Sequence, residues 1–135
     1  MGAWGTGWNA NDNGMDYLGG ELFNDEFFKK IEAGLDSSYF ENVRVAAHTL
    51  VVLENSLYTP PLEEGAILLH KAKKGLERIL MSEWCDEWSD PDEIRDALRE
   101  EIKDILGILG DPNKWWNREG LQDSKDKVSE VVSNL

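Results

Sequence analysis

The sequence is poor in the residues that build covalent and metal-held sites. It holds one cysteine, Cys85, and two histidines, His48 and His70, in 135 residues. A single thiol cannot form a disulfide within the chain, so the cysteine usage predicts a reducing, cytoplasmic location. His48 lies among apolar residues, which favours a core or boundary position. With no Ser/His/Asp, Cys/His or metal-binding spacing, we predict no catalytic residues, no metal ligands and no cofactor.

Long apolar runs are also missing. No stretch approaches the roughly 20 apolar residues that cross a bilayer, and no basic segment precedes an apolar run at the N-terminus. We therefore predict no membrane partner.

Basic residues are scarce in two segments. Residues 1–28 hold five acids and no lysine or arginine, and residues 83–104 hold ten acids and three basic residues. These segments carry −12 of the chain's formal charge of −13. A field of this sign repels nucleic acid and attracts basic proteins, although acidic charge also serves solubility alone. Nucleic acid is thus excluded as a partner, and a basic protein is the partner that the charge favours.

Strand-like alternation is absent, whereas apolar residues recur at steps of three and four nearly everywhere. This periodicity predicts an all-α fold, a single compact helical domain over residues 1–135 with about five helices. The predicted helices cover residues 13–33, with an interruption at the Gly19-Gly20 pair left open, then 37–57, 62–81, 91–109 and a short segment around 128–132. Gly75, inside the third helix, weakens that helix but allows another helix to approach closely.

The fourth predicted helix has the clearest start and end. Asp90 can cap it, Pro91 fits its first position, and Glu93 occupies the acidic position of a capping box. Gly110 ends it. Its apolar stripe consists of Ile94, Ala97, Leu98, Ile102, Ile105, Leu106 and Leu109.

The opening stretch MGAWGTGWNANDNGMDYLGG is a first candidate site. Asn9, Asn11, Asn13 and Gly14 fit the first, third, fifth and sixth positions of a calcium-binding loop, but Gly20 stands where such a loop needs a bidentate acid. We therefore favour a structural role, in which tryptophans bury as anchors, glycines permit close backbone approach and a polar residue caps the first helix. This N-terminal motif consists of Trp4, Gly5, Gly7, Trp8, Asn11 and Asp12.

The stretch MSEWCDEWSD is the second candidate. Trp84 and Trp88 are four residues apart, which on a helix places them on one face, and acids surround them. An aromatic pair among acids can hold a cationic side chain, whereas burial of the pair under the next helix is the simpler alternative. The predicted partner-binding residues are Glu83, Trp84, Asp86, Glu87, Trp88, Asp90, Glu100, Glu101 and Asp104.

Three stretches carry a resemblance to a known family. They are MGAWGTG at residues 1–7, Asn-Asp at 11–12 with Asp16, and Ser-Glu-Trp at 82–84 followed by Glu87 and Trp88. In this order the chain resembles a bacterial family described as domain of unknown function 4259. The resemblance implies a small, mostly helical bacterial protein and brings no activity, cofactor or catalytic residue with it.

These observations favour a non-enzymatic, acidic protein-binding module that recognises a basic protein. Analogy with other small acidic domains implies an immunity or antitoxin-like protein that neutralises a cationic toxin. Two alternatives stay open. One is a structural or self-associating helical domain, and the other is a metal-dependent enzyme that uses clustered carboxylates.

Overall fold

The computed structural model describes residues 24–55 and 62–135, without the side chain of Leu62. Over these residues the chain forms α-helices and two short 3₁₀ helices, and no strand, which confirms the predicted all-α fold with about five helices. None of the helices described is long and apolar enough to cross a membrane. The α-helices are α1 (Asp25–Leu35), α2 (Phe40–Asn55), α3 (Leu62–Leu80), α4 (Pro91–Leu109) and α5 (Gln122–Ser133), and the 3₁₀ helices are Glu83–Glu87 and Trp115–Asn117.

The chain divides into two compact units, residues 1–33 and 34–135. In the first unit, the side-chain oxygen of Asn24 accepts a hydrogen bond from the Phe27 N–H at 3.0 Å. This cap satisfies an N–H group that has no partner within the helix, and α1 begins at Asp25. The part of the predicted helix 13–33 that precedes Asn24 lies outside the described residues, and the question of an interruption at Gly19-Gly20 stays open. A single domain over residues 1–135 stays a prediction, because residues 1–23 lie outside the described part.

The second unit is organised around α3. Helices α2, α4 and α5 each pack against α3, and α2 and α4 also contact each other. The apolar residues that α3 buries cover one broad face, about 160° of the helix circumference, as expected for a helix that contacts three others. They are Ala66, Leu68, Leu69, Ala72, Leu76 and Ile79.

Helix α2 packs on α3 at a point where α3 has no side chain. A Cβ atom at Gly75 would lie 2.8 Å from Cγ1 of Val43, closer than packed side chains approach. Val43 and Leu50 on this inner face of α2 are fully buried. The close helix approach expected at Gly75 is therefore present.

Helix α4 begins and ends as its sequence predicts. Asp90 accepts a hydrogen bond from the Glu93 N–H at 3.2 Å, and the Gly110 N–H donates to the Leu106 carbonyl at 2.9 Å. The prediction is wrong for one residue of the apolar stripe, however. Leu106 is 48% exposed and Ile108 is buried in its place.

Candidate interaction site

The segment between α3 and α4 carries the two tryptophans of the second candidate. Trp84 lies in the 3₁₀ helix Glu83–Glu87, and Trp88 follows that helix with extended backbone angles of φ −78° and ψ 151°. The two residues therefore do not share the helical face that their spacing suggested. Their rings nevertheless meet edge to face, with centroids 5.3 Å apart.

A row of three aromatic rings fixes the position of Trp88. Phe40 at the start of α2 contacts Trp84 edge to face at 5.8 Å, and Trp84 contacts Trp88. Trp84 is half-buried between its neighbours, whereas Trp88 is 44% exposed. Such contacts contribute about 0.5–1.5 kcal/mol each beyond the burial of area. The row thus presents a large aromatic ring to solvent in a defined place.

Helix α2 forms the opposite wall of a groove that Trp84 and Trp88 line. Val45 in this wall is 66% exposed. His48 is also exposed here, so the predicted core or boundary position of His48 is wrong. The residues that line the groove are Glu41, Arg44, Val45, His48, Thr49, Trp84, Trp88 and Glu101.

An ion pair between α2 and α4 closes the base of this groove. The Arg44 guanidinium donates to both carboxylate oxygens of Glu101 at 2.9–3.2 Å, and both side chains are about three-quarters buried. This two-pronged geometry is the strong form of a carboxylate contact. The Glu101 carboxylate is therefore paired within its own chain, whereas the sequence predicted that it binds a partner.

Asp86 is exposed, but it too is paired with an arginine of its own chain. Its carboxylate accepts a hydrogen bond from Arg95 on α4 at 2.5 Å. This hydrogen bond raises the pKa of Arg95, which stays a cation and offsets part of the acidic charge nearby.

The groove continues in two directions from Arg44. A shallow depression beside Trp88 is lined by Arg44, Asp90 and Glu93 among others. A narrow cleft over α3 is lined by residues of α2 and α4, with Leu76 of α3 and Asp104 of α4 among them. We call these three adjoining depressions, which share Arg44, the α2–α4 trough.

The predicted partner-binding residues divide into three sets. Those that line the α2–α4 trough are Trp84, Trp88, Asp90, Glu101 and Asp104. Those that are exposed and do not line the trough are Glu83, Glu87 and Glu100. Asp86 is the member paired with Arg95. The N-terminal motif, which consists of Trp4, Gly5, Gly7, Trp8, Asn11 and Asp12, lies outside the described residues.

Sequence reasoning missed the contribution of α2. Arg44 and Val45 fall in a helix for which the sequence predicted a buried side and no binding residue, yet both line the trough. The available signal was weak: Val45 lies off the stripe formed by Val43, Ala47 and Leu50. An apolar residue away from a helix's buried stripe indicates a possible contact surface only when its neighbours in space are known.

The α2–α4 trough combines an exposed indole with acidic side chains. Aromatic ring faces and carboxylates are groups that in general interact favourably with cationic side chains. Within residues 24–55 and 62–135, no three histidine, cysteine, aspartate or glutamate side chains are grouped so that they could hold a metal ion.

Comparisons with known proteins bring no relative. The chain matches no protein-family model, no curated protein and no solved structure. The similarity to the family of unknown function 4259 stays a prediction.

Proposed function

We propose that this protein is a non-enzymatic binding module that recognises a basic protein. The binding surface is the α2–α4 trough together with the exposed acids beside it. One observation carries the proposal: Trp88 is 44% exposed and is held by Trp84 and Phe40 at the edge of an acidic groove. An indole fixed in this way loses little conformational entropy when a partner covers it.

The two parts of the surface would make different contributions. Tryptophans that a partner buries are among the residues that provide most of the binding energy of an interface. Val45 lines the same groove as Trp88 and adds apolar area to it. The exposed acids Glu83, Glu87 and Glu100 would mainly increase the association rate and make it depend on salt. The partner should therefore carry a positive patch around an apolar or cationic anchor.

A cationic toxin, such as a nuclease, is the partner that we favour. Binding would then neutralise the toxin in the manner of an immunity protein. The support is the concentration of negative charge in residues 83–104, together with the analogy to small acidic domains.

The test is a pull-down with the tagged full chain from its native lysate, eluted along a salt gradient, followed by affinity measurements with the purified partner. Trp88→Ala should weaken binding about 30-fold, which corresponds to the roughly 2 kcal/mol of a hot-spot residue. Tyr39→Ala is the matched control, because Tyr39 is an aromatic residue that is 70% exposed and does not line the trough.

Charge reversal tests the acidic part separately. Glu83→Lys with Glu87→Lys should slow association and reduce its salt dependence, whereas Glu119→Lys with Glu130→Lys, at exposed acids elsewhere, should change it less. Equal effects of the two pairs, with an unchanged affinity for Trp88→Ala, would exclude this surface as the binding site.

A further inference from the structure

Each wall of the α2–α4 trough contains one stripe of a helix. Four lining residues of α2 recur at steps of three and four, and four lining residues of α4 do the same, so each set lies on one side of its helix. The α2 stripe is Glu41, Arg44, His48 and Val51, and the α4 stripe is Glu93, Ala97, Glu101 and Asp104.

Helices α2 and α4 run in the same direction along the trough. Arg44 of α2 pairs with Glu101 of α4, and further along α2 the buried carboxylate of Glu54 pairs with Lys114, which follows α4. The α2 stripe covers roughly three turns, which corresponds to about 15 Å of helix. The trough is therefore the groove between two neighbouring helices, and Leu76 of α3 lies in its base.

Apolar side chains line the trough at both ends. Trp88 and Val45 are exposed at the end where α2 begins, and Val51 is half-buried at the other end. Ala97 contributes a small side chain between these ends. A partner segment can thus find apolar contacts over the length of the trough.

The charge that stays unpaired along the trough is negative. The Arg44 guanidinium is held by Glu101. By contrast, Glu41, Glu93 and Asp104 are exposed, and they form no ion pair with the residues that the structure describes. Glu93 and Asp104 lie about 16 Å apart along one side of α4. Cationic side chains at a similar separation, on one side of a partner segment, would meet both of them.

A partner segment in this trough has to satisfy its own backbone groups. Both walls are helices, and the described part of the chain contains no strand whose edge could pair with an extended segment. A helix pairs its N–H and C=O groups internally, and it packs into the groove between two helices at axis distances of about 8–10 Å. A helix laid on α2 and α4, opposite α3, also completes a four-helix arrangement.

We propose that the α2–α4 trough binds an amphipathic helix of the basic partner, about three to four turns long. The apolar stripe of this helix lies on Trp88, Val45 and Val51, and its lysine or arginine side chains face Glu93 and Asp104. A second copy of this chain fits less well, because two surfaces of the same negative charge repel each other. The inference rests on the proposed function and names the element of the partner that the trough recognises.

The probe is a synthetic alanine-based peptide of about 15 residues, with leucines on one helical stripe and lysines on both flanks of that stripe. Two control peptides keep the same leucine and lysine content. One distributes the leucines around the helix, and the other replaces a central alanine by proline, which breaks the helix. Both controls should bind at least about tenfold more weakly than the stripe peptide.

Amide NMR titration of the full chain locates the bound peptide. The stripe peptide should give saturable shifts at Val45, Val51 and Asp104, which together cover both ends of the trough. Circular dichroism should show that the peptide gains helix content when it binds, because the trough stabilises the helical form.

Charge reversal on α4 supplies a matched pair of variants. Glu93→Lys should weaken binding of the stripe peptide about fivefold, because it places a like charge in the trough. Asp92 is the exposed neighbour of Glu93 in the first turn of α4 and does not line the trough. Asp92→Lys therefore makes the same change in net charge and should weaken binding less than about twofold. Asp104→Lys should act like Glu93→Lys.

Several results would overturn the inference: equal binding of the three peptides, shifts confined to the end that holds Trp88, or equal effects of Glu93→Lys and Asp92→Lys. A dimer of the unmodified chain that the stripe peptide dissociates would also overturn it, because a second copy would then occupy the trough. These failures leave the proposed function in place if a captured partner binds more weakly to Trp88→Ala. A partner insensitive to Trp88→Ala removes the proposed function, whatever the peptides show.

Discussion

Both faces of α2 carry large aliphatic residues, but these residues lie in different surroundings on the two faces. Val43 and Leu50 on the inner face are fully buried against the rest of the second unit, whereas Val45 and Val52 on the outer face are 66% and 48% exposed. Residue type does not distinguish these four positions, because all four residues are aliphatic. The difference teaches that the outer apolar residues are not needed for the core. The position of Val45 in the groove that Trp84 and Trp88 line is what requires explanation.

The largest expected effect compares truncations on the two faces. Leu50→Ala should lower the free energy of unfolding by about 2–5 kcal/mol, because it removes buried contacts and leaves a cavity. Val52→Ala, on the outer face, should change it by no more than about 0.5 kcal/mol. Urea denaturation followed by circular dichroism measures both values. Similar losses at the two positions would show that the outer face is covered in the folded protein.

The sequence predicts the helices better than their exposed faces. Asp90 and Gly110 bound α4 through local hydrogen bonds, so the sequence alone identifies its ends. The choice between Leu106 and Ile108 is different. On a helix these residues lie about 80° on either side of Leu98, so periodicity cannot say which one is buried. Packing against neighbouring helices decides it, and that information is not local.

Smaller changes in stability are expected when alanine replaces two glycines that lie in different surroundings. Gly75→Ala should destabilise the protein by about 1 kcal/mol, because overpacking against Val43 outweighs the better helix propensity of alanine. The β-branched Val43 has little rotameric freedom with which to move away. Gly107→Ala, at a position with open space, should stabilise the protein by up to about 1 kcal/mol. Thermal denaturation of both variants checks the two signs, and a stabilising Gly75→Ala would show that α2 and α3 can separate slightly without cost.

The candidate site shows the same limit of sequence reasoning. The tryptophans and acids of residues 83–104 can be recognised from composition, because they are concentrated in one segment of the sequence. By contrast, Arg44 meets Glu101 across 57 residues, and Glu54 meets Lys114 across 60 residues. No local sequence pattern predicts such pairs, since each partner is an ordinary charged residue on its own helix or loop. They follow only from how α2, α3 and α4 pack.

The smallest expected effect is the pH dependence of stability that His70 causes. Burial, and secondarily the charge of Lys73, lower the pKa of His70 on α3 below its ordinary value of 6.5. The unfolded chain therefore binds the proton more readily than the folded chain, and stability should fall as the pH drops below about 6.5, until the folded histidine is protonated as well. His70→Gln should make the urea midpoint vary less between pH 8 and pH 5. If the urea midpoints of His70→Gln and of the unmodified protein vary equally with pH, His70 is hydrated in the folded state. Its surroundings on α3 would then resemble those of the exposed outer face of α2.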